Sequence, residues 1–217
     1  MLLKAILCFD TQSYPNKELV ISYPHDDLAT KAIIDQIKDI PELKIMAIER
    51  SNEISLGNAR NEAVAQCNGE YICTWDDDDW YDRLRLAEQF NGLRATGRFC
   101  KASVLSGIMI YDSKNYAAYR SFSYRWAGTL LCKKELVLAH PYHDDDKIED
   151  RDLMEFLTAK KLLLHIEGYF FLYIYIFHGY NVIDELHFNY FIKRSYLLDQ
   201  KSLEWVKSVS ELNVTLS

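Results

Sequence analysis

Between Leu2 and Trp75 the hydrophobic pattern switches repeatedly from helical to strand period, and this alternation restricts the fold more than any other feature of the chain. Leu2, Leu3, Ile6, Leu7 and Phe9 fall near one helix face, which Pro15 and Asn16 then interrupt. ELVISY reads as a strand, HDDLATKAIIDQIKDI as a helix capped near Asp26 or Asp27, and LKIMAIE as a second strand. SLGNARNEAVAQCNGE follows as a helix and YICTW as a third strand, with Asn68 and Gly69 suited to the left-handed position past a helix end. Helix and strand in such succession predict an α/β layer structure with a mainly parallel sheet. Further on, YDRLRLAEQFNGLRAT, KKELVLAH and DRDLMEFLTAKK are helical. SVLSGIMIYD and YAAYRSFSY read as strands around an SKN turn, and GTLLC as a short strand.

No repeat or linker divides the 217 residues, so we read residues 1–217 as one domain, long enough to bury a substantial core. A net charge of −7 opposes attraction to a phosphate backbone, and nucleic acid is not expected as a partner. The cysteines form no C-x-x-C pair and the histidines show no zinc spacing, which suggests reduced thiols in a cytoplasmic protein. MLLKAILCF lacks the parts of a signal peptide. LLLHIEGYFFLYIYIF is interrupted by His165, Glu167 and Gly168, so two strands around a turn are expected there rather than a membrane span.

Four aspartates, Asp76 to Asp79, follow directly on YICTW. In open α/β sheets ligands bind beyond the carboxyl ends of strands, and a D-x-D spacing presents two hard oxygen ligands toward one magnesium or manganese ion. A bound dication would relieve the repulsion of the run; a solvated loop is the alternative. His178, in FHGYN behind two aromatic strands, is a candidate for completing a metal shell or contacting a diphosphate, with a purely structural role as its rival. Trp75, Trp80, Trp126 and Tyr142 are candidates for stacking on sugar faces, or for the core.

The stretch LGNARNEAVAQCNGEYICTWDDDDWYDRLRLAEQF resembles the nucleotide-sugar domain of family 2 glycosyltransferases with the GT-A fold, in its A-R-N, G-E-Y-I, D-x-D-D and R-L elements. QSYPNKELVIS is similar to that family's link from first helix to second strand, and HDDDKIEDRDLMEFL to its acceptor-side E-D segment. The resemblance implies a GT-A-like (Rossmann-like) sheet flanked by helices with an acceptor-side β-hairpin region. Residues 1–100 would form the nucleotide-sugar part and 101–217 the acceptor-side part. It makes Asp76 and Asp78 the metal pair for Mn2+ or Mg2+, and Asp79 a neighbour that contacts the sugar or orients the site. Arg60 and Asn61 would lie near the nucleotide, and Asp150, preceded by Glu149, would be the catalytic base.

The implied reaction is inverting transfer of a sugar from a nucleoside diphosphate sugar, most plausibly a UDP-sugar, to a hydroxyl of a glycan or lipid-linked saccharide. Polysaccharide synthesis is the setting, with peripheral contact at the inner membrane face and a homo-oligomer both allowed. A metal-dependent nucleotidyltransferase and a noncatalytic nucleotide-sugar-binding module are the rival readings. Where the family has an aspartate at the end of its second strand, ISYPHDD places Tyr23 and Pro24; Asp26 or Asp27 would substitute, or Tyr23 would stack on the base. The family's first strand has no counterpart before Leu2, so the sheet is expected to carry an unpaired edge, or a gap filled by another segment or molecule.

Overall fold

A computed structural model of the chain describes residues 1–40, 43–97, 99–182 and 185–211. The first half alternates as its patterning predicts: α1 (Leu2–Asp10), β1 (Leu19–Pro24), α2 (Leu28–Ile37), β2 (Ile45–Arg50), α3 (Leu56–Gln66) and β3 (Tyr71–Cys73). Two of these three helices start on side-chain caps. Asp27 accepts the Thr30 N–H at 3.0 Å and Ser55 that of Asn58 at 3.2 Å, each satisfying a first-turn donor that has no helical partner.

The end of α3 departs from expectation. Cys67 is extended (φ −60°, ψ 146°), and neither Asn68 nor Gly69 takes a left-handed conformation. The Glu18 carboxylate accepts the Gly69 N–H at 2.7 Å and the Asn68 Nδ2 at 3.0 Å, so a side chain from before β1 supplies the partner that a left-handed turn would otherwise provide.

The second half adds β4 (Trp80–Tyr81), α4 (Arg85–Ala95), β5 (Ala102–Leu105), β6 (Met109–Asp112), β7 (Ala117–Arg120), β8 (Leu131–Lys133), α5 (Lys134–Ala139) and α6 (Arg151–Ala159). β9 (Leu163–Ile166), β10 (Tyr173–Phe177), α7 (Glu185–Ile192), β11 (Tyr196–Leu197) and α8 (Gln200–Ser210) complete it. The strands divide into a parallel β1–β2 pair, a mixed sheet β3-β8-β5-β9 and a mixed sheet β11-β7-β6-β10-β4. SVLSGIMIYD, read from sequence as one strand, is split between the last two. β5 pairs in parallel with β9, and β6 in parallel with β10, so two chain segments pass side by side from one sheet to the other. Ser121 fixes the crossing, its Oγ accepting the Ile108 N–H at 3.0 Å. Gly168 turns the partner segment at φ +83°, a conformation that favours glycine. The expected hairpin is β6–β7.

Among the described residues no helix is long and apolar enough to cross a membrane, and Leu162 to Phe177 supplies β9 and β10 as patterned. All five cysteines are unpaired. β1 has a strand partner only in β2, and β3 only in β8, among the described residues, so the expected open edges are present.

Candidate active site

The aspartate run forms the turn between β3 and β4, and its geometry follows from what grips each residue. Tyr81, 1% exposed, clips Asp76 through the backbone: the Asp76 N–H donates to its hydroxyl at 2.6 Å, and the hydroxyl donates to the Asp76 carbonyl at 2.8 Å. Behind it Arg85 is fully buried, its guanidinium 4.6 Å from the Tyr81 ring and 5.1 Å from that of Trp75, with Nη2 donating to the Thr74 carbonyl at 3.0 Å. Cation–π contact and a charge-assisted hydrogen bond thus hold the strand end that aims Asp76. Neither Arg85 nor Tyr81 stands out in the sequence, since a cation enclosed by rings leaves no periodic trace.

Asp76 faces outward and accepts Arg60 Nη2 at 2.9 Å, while the other terminal nitrogen, Nη1, donates to Glu149 at 2.5 Å. One guanidinium therefore joins the aspartate turn to the loop before α6. Desolvation raises the carboxyl pKa of Asp76, of Glu149 and of Asp150, with Arg60 opposing in each case. Arg60 is itself held more firmly charged, because Asp76 and Glu149 outweigh its own desolvation. Asp150 is half-buried, close enough to interact with Asp76 and Arg60, and its carboxylate accepts no hydrogen bond from another described residue. Both terminal nitrogens of Arg60 are engaged, so its guanidinium bridges the two acidic segments.

The acidic loop is seated on the start of α3. Gly57 donates its N–H to the Asp145 carbonyl at 3.0 Å, and a Cβ at residue 57 would fall 1.6 Å from the His143 carbonyl oxygen, so only glycine permits this approach. Asn61 bonds Tyr142 in both directions, Nδ2 to the carbonyl at 2.8 Å and Oδ1 from the N–H at 2.9 Å. Its amide therefore anchors the loop. Tyr142, 5% exposed, packs in the core 5.7 Å beneath the Arg60 guanidinium, and burial pushes its hydroxyl up to about 12.

Asp78 and His178 come together as the sequence suggested, Oδ2 to Nε2 at 3.2 Å, and Asn181 also donates to Asp78 at 3.1 Å. Asp76, the other expected metal ligand, is turned to Arg60. Among the described residues no three His, Cys, Asp or Glu side chains are arranged to hold an ion by themselves. A dication at this turn would draw on the oxygen and imidazole donors of Asp78 and His178, a set whose chemistry suits manganese or magnesium when substrate phosphates complete the shell.

Asp79, Tyr23 and Asp27 are each engaged within the protein. Asp79 is 1% exposed and faces inward, bonding the Tyr173 hydroxyl and accepting the Ile176 N–H at 2.9 Å, so it orients the turn on β10. Tyr23 is 6% exposed, packed with Leu2, Ile6 and Ile34, and donates to Glu49 at 3.0 Å, which commits its ring to the core rather than to a base. Asp27 caps α2, and that backbone bond holds its pKa below the usual value. Among the aromatic candidates, Trp75 stacks on Tyr81 at 3.9 Å, Trp126 packs against Phe191, and Trp80 meets Trp205 edge-on, so all three serve packing.

Desolvation raises the Asp79 carboxyl well above its ordinary value. A raised folded-state pKa contributes stability that is complete below the unfolded value and fades as pH rises through the folded one. Asp79→Ala is expected to cost about 2–4 kcal/mol by stranding two buried groups. Asp79→Asn keeps an acceptor for Ile176 and offers an N–H to the Tyr173 hydroxyl oxygen in place of the accepting carboxylate oxygen, and should retain the fold while flattening the pH dependence. Urea denaturation across pH checks both; equal losses in the two variants would refute the assignment.

Comparison with known proteins places this geometry in context. No curated protein matches the sequence. Among solved structures, Staphylococcus aureus TarS 1-349 in complex with UDP-GlcNAc superposes with a TM-score of 0.67 at 13% identity, covering 100% of this chain and 64% of that one. The same protein with UDP gives 0.61 at 12% identity, covering 82% and 57%. The mannosyltransferase PcManGT of Pyrobaculum calidifontis, in complex with GDP-Man and Mn2+, gives 0.59 at 16% identity, covering 80% and 52%. The chain spans less than two thirds of each of these chains, and at such identities the likeness is one of fold, the GT-A α/β arrangement. The family model for glycosyl transferase family 2 matches residues 1–158, most of the sequence and every element from α1 to α6, and the chain belongs to that family.

Proposed function

We propose that the chain is an inverting glycosyltransferase that moves a sugar from a nucleoside diphosphate sugar, of which a UDP-sugar is the leading candidate, to a hydroxyl of a glycan or lipid-linked saccharide. The observation that carries this reading is the Asp150 carboxylate, uncommitted to any other described residue and within electrostatic reach of Asp76, beside the bridge by which Arg60 joins Asp76 to Glu149. In such a displacement the acceptor oxygen bonds to the anomeric carbon as the bond to the diphosphate breaks, and the acceptor proton passes to Asp150. Glu149 and Arg60 are positioning residues for that base. Bound at Asp78 and His178, a divalent ion would supply positive charge for the departing diphosphate. The TarS and PcManGT complexes with UDP-GlcNAc and with GDP-Man and Mn2+ support a nucleotide-sugar donor and a metal by analogy of fold.

Calorimetric titration with a panel of nucleoside diphosphate sugars, with and without manganese, tests the proposal alongside product analysis. Expected are metal-dependent donor binding and release of nucleoside diphosphate with inversion at the anomeric carbon. Saturable binding with no turnover would instead favour a binding module, and no binding of donor or metal would end the assignment.

A further inference from the structure

β3 carries the aspartate turn beyond its carboxyl end, and its amino end borders a separate cavity of about 150 Å³. Tyr71, Lys101 and Lys133 line this cavity from the sheet, and Leu93, Arg94 and Gly97 from the end of α4. At strand spacing, Tyr71 and Asp76 are about 15 Å apart along the chain, so the cavity is distinct from the candidate active site.

Strand register brings the cations together. In the antiparallel β5–β8 ladder Ala102 pairs with Cys132 and Ser103 with Leu131, and the Lys133 N–H donates to the Lys101 carbonyl at 3.0 Å, which sets Lys101 opposite Lys133. On the other side of β8, Tyr71 is opposite Lys133, whose ammonium lies 5.8 Å from the Tyr71 ring. Leu93 packs with Tyr71 on this face, and Arg94 follows it at the cavity wall.

Like charges directly opposite on a ladder are destabilising. No Asp or Glu among the described residues lines the cavity to relieve them, and Arg94 and Lys101 form no ion pair there. Lys133 is met only from outside, by Glu70 at 2.9 Å and Glu135 at 4.0 Å, whose side chains are 72% and 71% exposed; such surface pairs contribute little. The Tyr71 hydroxyl has no hydrogen bond with a described residue either. Guanidinium, two ammonium groups and a hydroxyl thus offer donors with no acceptor among them that is already engaged. Arg94, in the last turn of α4, suits the helix dipole as well, but the dipole gives no reason to set Lys101 against Lys133.

We propose that this cavity is a binding site for a phosphate group, carried by inorganic phosphate or by a small phosphomonoester and held by Arg94, Lys101, Lys133 and the Tyr71 hydroxyl. Phosphate presents only acceptor oxygens to such a set, and its charge turns the repulsion of the two lysines into attraction by both. A cavity of this volume takes a molecule of about the size of benzene, so a phosphate group fits and a whole nucleotide does not. The proposal is independent of the transferase reading, and its test does not use turnover.

The test is a titration of the full chain, followed by amide NMR, with inorganic phosphate, with glycerol 1-phosphate and, as a control, with sodium chloride at matched ionic strength. A phosphate compound is expected to shift the Gly97, Lys101 and Lys133 amides saturably and to raise the midpoint of thermal unfolding. The tighter of the two identifies free ion or ester as the source. Arg94→Gln and Lys101→Gln should each weaken binding at least about fivefold. Without phosphate, Lys101→Gln should unfold no lower than the unaltered chain, because it removes a repulsion. Should either variant fail to fold by circular dichroism, the other and the chloride control decide. Shifts no larger than those with chloride, shifts centred on Asp78 and His178, or unchanged affinity in the variants would overturn the proposal. So would a Lys101→Gln chain that unfolds several degrees lower and keeps its full response to phosphate, since the lysine would then serve the fold alone.

Discussion

Replacing Asp150 with Asn is expected to slow sugar transfer by about 10²- to 10⁴-fold, the range a general base contributes, while donor affinity stays unchanged. Asp150 sits half-buried at the start of α6, where its carboxylate makes no cap hydrogen bond to the helix and accepts none from another described residue, so its basicity is little consumed by the protein. Desolvation raises its pKa, Arg60 partly offsets this, and the charge on Asp76 raises it again. A carboxylate accepts a proton only when ionised, so the rate should fall as pH drops through a midpoint above the ordinary value of about 4. The variant should lose that acidic limb. The same raised pKa acts on stability with opposite sign, since its contribution is complete below the unfolded value and lost as pH rises through the folded one. Activity and this part of stability therefore move in opposite directions with pH. Steady-state kinetics from pH 4 to 8 decide the matter: an Asp150→Asn enzyme that keeps its acidic limb would remove Asp150 as the base.

The succession of elements was legible because each carries a local signal: the apolar stripe of α1, the break at Pro15 and Asn16 that follows it, the cap near Asp26 or Asp27. What the sequence could not reveal was direction. Four adjacent aspartates are chemically identical, yet Asp76 turns to Arg60, Asp78 to His178 and Asp79 into the core toward Tyr173. Those partners lie far along the chain, and packing alone decides which carboxylate each one meets. The same applies to Asn61, whose side chain is committed to Tyr142, and to Arg85, whose burial depends on rings contributed by β3, β4 and β10. Glu18 replaced a glycine conformation at the end of α3 by reaching across from before β1. Local patterns thus fix where strands and helices lie, while long-range pairing fixes which side chains belong to the site.

Arg60 offers the sharpest test of that pairing. Arg60→Met keeps most of the side-chain volume but leaves Asp76 and Glu149 without their common cation. Breaking a buried ion pair costs about 3–5 kcal/mol, because a charge is left without a partner. Asp76 has a third of its side chain exposed (33%) and Glu149 only 7%, so water screens one of the two and the expected loss is about 2–4 kcal/mol near neutral pH. Both carboxyl pKa values are already raised by burial, and removing Arg60 raises them further. In the variant, stability is then complete below the unfolded value of about 4 and is lost as pH climbs through the elevated folded values. Denaturation at about pH 5 and about pH 7.5 should show the deficit growing with pH, the reverse of simple acid lability. Arg60→Lys restores the charge but not the forked span to two carboxylates, so it should recover only part of the loss. A deficit equal at both pH values would mean that Arg60 contributes packing alone and that the two acidic segments are held together by something other than its charge.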